Sequence, residues 1–117
     1  MATGDIYRIF VAYQDSEGGK ERYVVEVGRE GIETVVLDSI TSQYHTKSRF
    51  IKTQYYPIQE WWQAGLQKPS YVDIKSSRHY RFEEVVKYGR FVGQLTLRDV
   101  QGLAAFIRSY KTRLQQR

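Results

Sequence analysis

Three apolar runs rich in β-branched and aromatic residues crowd into residues 5–40, and only short turn-forming segments separate them. "DIYRIFVAY" (5–13), "RYVVEV" (22–27) and "IETVVLDSI" (32–40) are joined by "QDSEGGKE" and "GREG". Runs of this length and composition read as strands. A linker as short as "GREG" brings its two strands together as an antiparallel hairpin. In the first run, Ile6, Arg8 and Phe10 are expected on one face, with Ile9 and Val11 on the other. Gly18 and Gly19 give the longer linker the backbone freedom of a mobile loop.

The rest of the chain alternates between the two periods. "RFIKTQYY" (49–56) is expected as a fourth strand. Pro57 then opens a short helix through "IQEWWQA", which Gly65 stops and Pro69 keeps from continuing. "SYVDIKSS" reads as another strand, and "HYRFEEVVKYGRFVGQL" as one or two more with a turn near Gly89. Thr96 and Asp99 form a T-x-x-D capping box, with Leu95 and Val100 as its hydrophobic staple. Val100, Leu103, Ala104, Ile107 and Tyr110 repeat at helical spacing behind it. The basic tail "YKTRLQQR" is expected to fray. On the Trp61–Trp62 pair, adjacent helical positions diverge by about 100°, so one ring is expected to pack and the other to face a partner. The expected fold is mainly β: a small antiparallel barrel or twisted sheet with one short inserted helix and one C-terminal helix.

Composition bounds what such a fold can do. A chain of 117 residues with 41% hydrophobic and 26% charged residues is one globular domain with a single core. No apolar run approaches the ~20 residues of a membrane span. The N-terminus lacks a signal peptide's basic-then-apolar pattern, so a cytoplasmic protein is expected. The absence of Cys removes disulfides and thiolate metal sites. His45 and His79 lie far apart and the acids are dispersed, so neither a metal nor a cofactor is expected. No phosphate-binding glycine loop, dinucleotide fingerprint or nucleophile elbow is present. The net charge of +5, with ten Tyr often close to Lys or Arg, suits nucleic acid, an anionic surface or an acidic protein.

One stretch carries more chemistry than a turn needs. "VVLDSITSQYHTKSRF" (35–50) passes from an apolar run into Ser39, Thr41 and Ser42, then His45, Lys47 and Arg49. If the second and third strands pair as a hairpin, Arg22 at the start of one lies near Thr41 at the end of the other. The "SEGGKE" loop, with Lys20, would arch over the same edge. The resulting group of Lys20, Arg22, Thr41, Ser42, His45 and Lys47 suits phosphodiester chemistry on RNA. Arg supplies a permanently charged fork for phosphate oxygens, hydroxyls add fixed donors, and His45 or Lys47 could move protons. Read singly, Arg22 is a solvated charge, Thr41 and Ser42 close a strand, and His45 sits in a polar loop. Further along, Lys75, Ser77, Arg78 and Tyr80 in "IKSSRHYRF" could line an RNA groove or form an ordinary polar edge, and Arg49 could join them.

In order along the chain, "GDIYRIFV", a Gly-containing loop, Arg22 opening an apolar strand, "VVLDSIT" and "VGQLTLRDVQGLAAFI" resemble the MazF/PemK family of toxin ribonucleases from bacterial toxin–antitoxin pairs. The resemblance spans nearly the whole chain through motifs that are individually short. It implies an SH3-like barrel with a C-terminal helix, usually a homodimer. It implies sequence-specific, metal-independent cleavage of single-stranded RNA, and inhibition by an antitoxin with an acidic flexible tail. By position, the family's catalytic Arg falls on Arg22 and its hydroxyl on Thr41. The chain departs from the family in having Arg22-Tyr23 where Arg-Pro is usual, and in the longer "YYPIQEWWQAGLQKPSYVDI" segment, which resembles a Trp-rich branch. An acidic residue that assists some members has no firm counterpart, since "VDIKSS" offers Asp73 or none. Two other readings stay open: a non-catalytic barrel that binds a protein target such as gyrase, and a module that binds RNA without cutting it.

Overall fold

A computed structural model describes residues 3–115. Six strands form one antiparallel sheet: β1 (Asp5–Ala12), β2 (Gly19–Glu30), β3 (Thr34–Thr41), β4 (Tyr55–Pro57), β5 (Tyr71–Arg81) and β6 (Arg90–Gln94). Their order across the sheet is β4-β5-β3-β2-β1-β6. The three opening runs thus form the expected meander, β2 pairing with both β1 and β3. Among the described residues β4 and β6 remain as edges, so the sheet is not closed into a hydrogen-bonded barrel.

Three expectations need correction. Residues 49–56 are not one strand: Arg49–Lys52 make a single helical turn (α1), because the Ser48 hydroxyl accepts the Ile51 N–H at 3.2 Å and caps it. Only Tyr55–Pro57 then joins the sheet. Pro57 ends that strand rather than opening a helix, and the Trp-containing segment is one 3₁₀ turn, Trp61–Ala64, ended by Gly65 at φ +89°. Finally, β5 runs on to Arg81, and Phe82–Tyr88 form a helix (α2) where strands were expected. Glu83 and Glu84 in its first turn and Lys87 in its last suit the helix dipole. The turn near Gly89 is that helix's end, where the Gly89 N–H bonds the Val85 carbonyl at 2.8 Å.

Both faces of the sheet are covered. On one, Ile6, Val25, Ile40 and Val72 meet Leu103 of the C-terminal helix α3 (Leu97–Gln115) and Ala64 of the 3₁₀ turn. On the other, Tyr7, Ile9, Val24, Val35 and Leu37 pack with Val85 of α2. Trp61 packs against the first cluster while Trp62 is 56% exposed. Along α3 the buried face is turned slightly from the expected one: Ala104 is exposed, while Phe106 packs inward. The tail expected to fray stays helical to Gln115, and residues 116 and 117 lie outside the described residues.

Two buried carboxylates organise this packing. The Thr96 hydroxyl accepts the Asp99 N–H at 3.4 Å, the first half of the expected capping box, but the fully buried Asp99 carboxylate turns elsewhere. It accepts the Tyr56 hydroxyl at 2.6 Å and the backbone N–H groups of Gln59 and Glu60 at 2.8 Å each. The Thr96 hydroxyl donates to Glu60 at 2.7 Å, so the start of α3 pins the segment that follows β4. Gly102 fits this contact, since a Cβ there would collide with the Tyr56 hydroxyl. The second carboxylate, Asp38, lies at the centre of β3 and accepts the Ser77 hydroxyl of β5.

Asp99→Ala is expected to leave a buried phenol and two backbone donors unsatisfied, lowering unfolding free energy by about 3 kcal/mol or more in urea titrations. Burial chiefly, with the charge of Asp73 adding and the Ser77 bond opposing, raises Asp38 from 3.8 to about 6. Between pH ~4 and ~6 the folded chain therefore holds a proton that the unfolded chain has lost. Stability falls as pH rises through that window and stays about 3 kcal/mol lower above it on this account. Asp38→Asn is expected to gain stability over the parent at pH 7 but not at pH 4, read from paired denaturation curves. An equal change at both pH values would contradict a buried proton on Asp38.

Candidate functional site

The β2–β3 hairpin fixes the first part of the site. Tyr23 pairs with Ile40, so one step further toward the open end the register sets Arg22 against Thr41. Both residues line a cavity of about 200 Å³, together with Lys20, Ser42 and Lys68. The Thr41 hydroxyl accepts the Gln43 N–H at 3.1 Å, which leaves its proton to be donated to an anion.

Arg22 also lines a second, larger cavity of about 530 Å³. Its walls include Ser39, Tyr55, Asp73, Lys75 and Arg78, and Tyr13 to Ser16 of the Gly-containing loop close one side. The sheet pairing explains the grouping: Ser39 lies opposite both Val24 of β2 and Asp73 of β5, and Asp73 lies opposite Tyr55 of β4. These positions project to the face that carries the second core cluster, just beyond its apolar end.

The electrostatics of this cavity are mixed. Burial pushes the Asp73 carboxyl above its ordinary range, while a hydrogen bond from the Lys75 N–H and the charges of Lys47 and Lys75 pull it back. Tyr55 is raised by burial and by Asp73, with Arg22 opposing. A partly buried carboxylate whose proton affinity burial raises, with cations around it, can accept a proton next to a bound anion. A polyanion would bring its charge to Arg22 and find hydroxyls on one side and a proton acceptor on the other.

The expected site residues divide into groups. Lys20, Arg22, Thr41 and Ser42 gather at the first cavity, and Lys75 and Arg78 at the second. Lys47 acts on Asp73 electrostatically. His45 is exposed and packs edge-on against Tyr44 at 5.6 Å, and it lines neither of these two cavities. Arg49 is exposed at the start of α1. The Ser77 hydroxyl is spent on Asp38. Tyr80 lines a third cavity beside the second. Asp73 and Tyr55 are the residues that sequence reasoning did not assign. Asp73 carried a weak signal, an acid in the strand after the insertion; Tyr55 carried none.

Among the described residues, no three His, Asp or Glu side chains gather where they could hold a metal ion, and no helix is long and apolar enough to cross a membrane. No protein-family model matches the chain, and no curated protein matches it as a relative.

Proposed function

We propose that this chain is a toxin endoribonuclease that cuts single-stranded RNA using side chains alone for base, acid and charge stabilisation. The observation that carries the reading is the position of Arg22 on the wall between two cavities, with Thr41 and Ser42 on one side and Asp73 on the other. The ordered resemblance to MazF/PemK toxins agrees with it. On this reading the sheet is an opened SH3-like barrel, the working unit is a homodimer, and an acidic antitoxin inhibits it by competing for the same cations.

The chemistry is a transfer within the RNA. Asp73, as its carboxylate, takes the proton of a ribose 2′-hydroxyl, and the freed oxygen attacks the adjacent phosphorus. The 2′-oxygen–phosphorus bond forms and the phosphorus–5′-oxygen bond breaks, leaving a cyclic phosphate and a 5′-hydroxyl. Arg22 holds the equatorial oxygens as charge accumulates, and the Thr41 hydroxyl donates beside it. Lys47, already within the field of Asp73, supplies the proton to the leaving 5′-oxygen.

Arg22→Ala is expected to abolish cleavage of a long single-stranded RNA in chelator-containing buffer while circular dichroism and melting temperature are kept. Cleavage at the parental rate by purified Arg22→Ala would refute the assignment. Asp73→Asn is expected to lower kcat by about 10²-fold or more with little change in KM, and to remove the acidic limb of the pH–rate profile. Intact RNA after incubation with the parent protein would favour a binding module instead.

A further inference from the structure

Among the described residues, parts of β1 and β5 also lack a strand partner along one edge, and they flank the same space. β6 pairs with β1 only from Asp5 to Arg8, so among the described residues the outer edge of β1 is free from Ile9 to Ala12. β4 pairs with β5 only from Tyr71 to Asp73, so among the described residues no strand pairs with the far edge of β5 from Lys75 to Arg81. A cavity of about 370 Å³ lies between these edges, lined by Phe10 and Ala12 from β1, residues 78–81 from β5, and Glu84 from α2. Ala12 and Arg78 also line the second cavity, so the two spaces are neighbours.

The side chains here differ from those around Arg22. Phe10 is 55% exposed, although it sits in a strand whose neighbours Ile9 and Val11 are buried. The tip of its ring lies close to Gly19, where a Cβ would collide with it, and more than half of the side chain stays exposed. Tyr80 is partly buried against the apolar core, and both Arg78 and Glu84 act on its phenol, which burial has raised. An exposed aromatic ring, a guanidinium and a carboxylate therefore line one slot. Arg is a donor only and Glu an acceptor only. Guanine alone among the RNA bases offers a carboxylate two adjacent N–H donors while presenting two acceptors, O6 and N7, to an arginine.

We propose that this slot seats the base of a guanine nucleotide flanking the scissile phosphate, stacked on Phe10 and read by Glu84 and Arg78. The inference rests on the RNA-cleavage reading of the adjoining cavity, and it goes beyond that reading by assigning sequence preference to residues away from the reacting atoms. Arg78, common to both cavities, places the base it reads next to the cut.

Two measurements test it, and the second is independent of cleavage. End-mapping of the fragments from a long RNA is expected to show a guanine at one fixed position beside the cut. Phe10→Ala and Glu84→Gln should relax that position, whereas Phe10→Tyr should keep it. Cut sites with no fixed guanine, or variants with the parental motif, would overturn the proposal. Binding is then read by fluorescence anisotropy with fully 2′-O-methylated, uncleavable pentanucleotides that contain one central guanine or one central adenine. Tighter binding of the guanine oligonucleotide is expected, with Kd raised roughly ten- to hundredfold by Phe10→Ala. If no RNA is cut yet this preference and its loss in Phe10→Ala are found, the cleavage reading fails and the guanine site stands. Equal affinity for the two oligonucleotides, or displacement of neither by Phe10→Ala, sinks the site itself, and binding of an acidic peptide in place of both oligonucleotides would mark the slot as a protein surface.

Discussion

The disposition of the site depends on a bulge in β5. Against β3, Leu37 pairs with Arg78 and Ser39 with Asp73, so two steps along β3 correspond to five along β5. In a regular strand, residues five apart point to opposite faces. Here Leu37 and Ser39 share a face, and Asp73 and Arg78 are brought to it together. The extra residues are held by side chains rather than by a ladder. The Ser76 hydroxyl accepts the Ser39 N–H at 2.8 Å and donates to the Asp73 carbonyl at 2.6 Å, the Asp73 carboxylate takes the Lys75 N–H at 3.0 Å, and Ser77 donates to Asp38. Bulges re-aim side chains at functional edges, and this one puts a carboxyl and a guanidinium on the same groove. The cost of burying Asp38 is thus tied to an irregularity that the groove needs.

Asp99 performs the corresponding task at the other side of the sheet. Its three hydrogen bonds fix residues 56–60 against the start of α3, and the 3₁₀ turn that follows packs Gly65 and Ala64 closely on β6. The Trp-containing insertion is therefore part of the core cover and not an appended arm. Leu66 and Lys68, beyond that turn, reach the first cavity because the insertion is held this tightly.

What the sequence reveals follows from which interactions are local. The β1–β2–β3 meander is legible because its alternation and its turn residues agree, and with it comes the meeting of Arg22 and Thr41. α2 is poorly legible because Phe82, Val85 and Val86 are as compatible with a strand as with one helical face, although its acidic first turn is a helix signal. The T-x-x-D pattern correctly marks the start of α3, yet its carboxylate serves a contact 40 residues away in sequence, at Gln59. Asp73 could not be assigned because a strand period predicts the wrong face for everything beyond a bulge. His45 shows the opposite error: a titratable residue near a polar strand end draws suspicion, while the structure sets it edge-on against Tyr44, outside the first two cavities.

The balance of charge around Asp73 has a further consequence once a polyanion enters. Unoccupied, the carboxyl is raised by burial and lowered by Lys47 and Lys75. Phosphates drawn to those ammonium groups and to Arg22 would screen the cations from Asp73 and bring negative charge of their own. Both changes act in the same direction as burial, and both favour the protonated carboxyl. On the RNA-cleavage reading, the base therefore gains proton affinity when substrate is in place, which moves it toward the working pH where general-base catalysis is most effective. Water would leave the cavity on binding and strengthen the same effect. On that reading the same cations would both hold the backbone and, once neutralised by it, leave Asp73 the stronger proton acceptor.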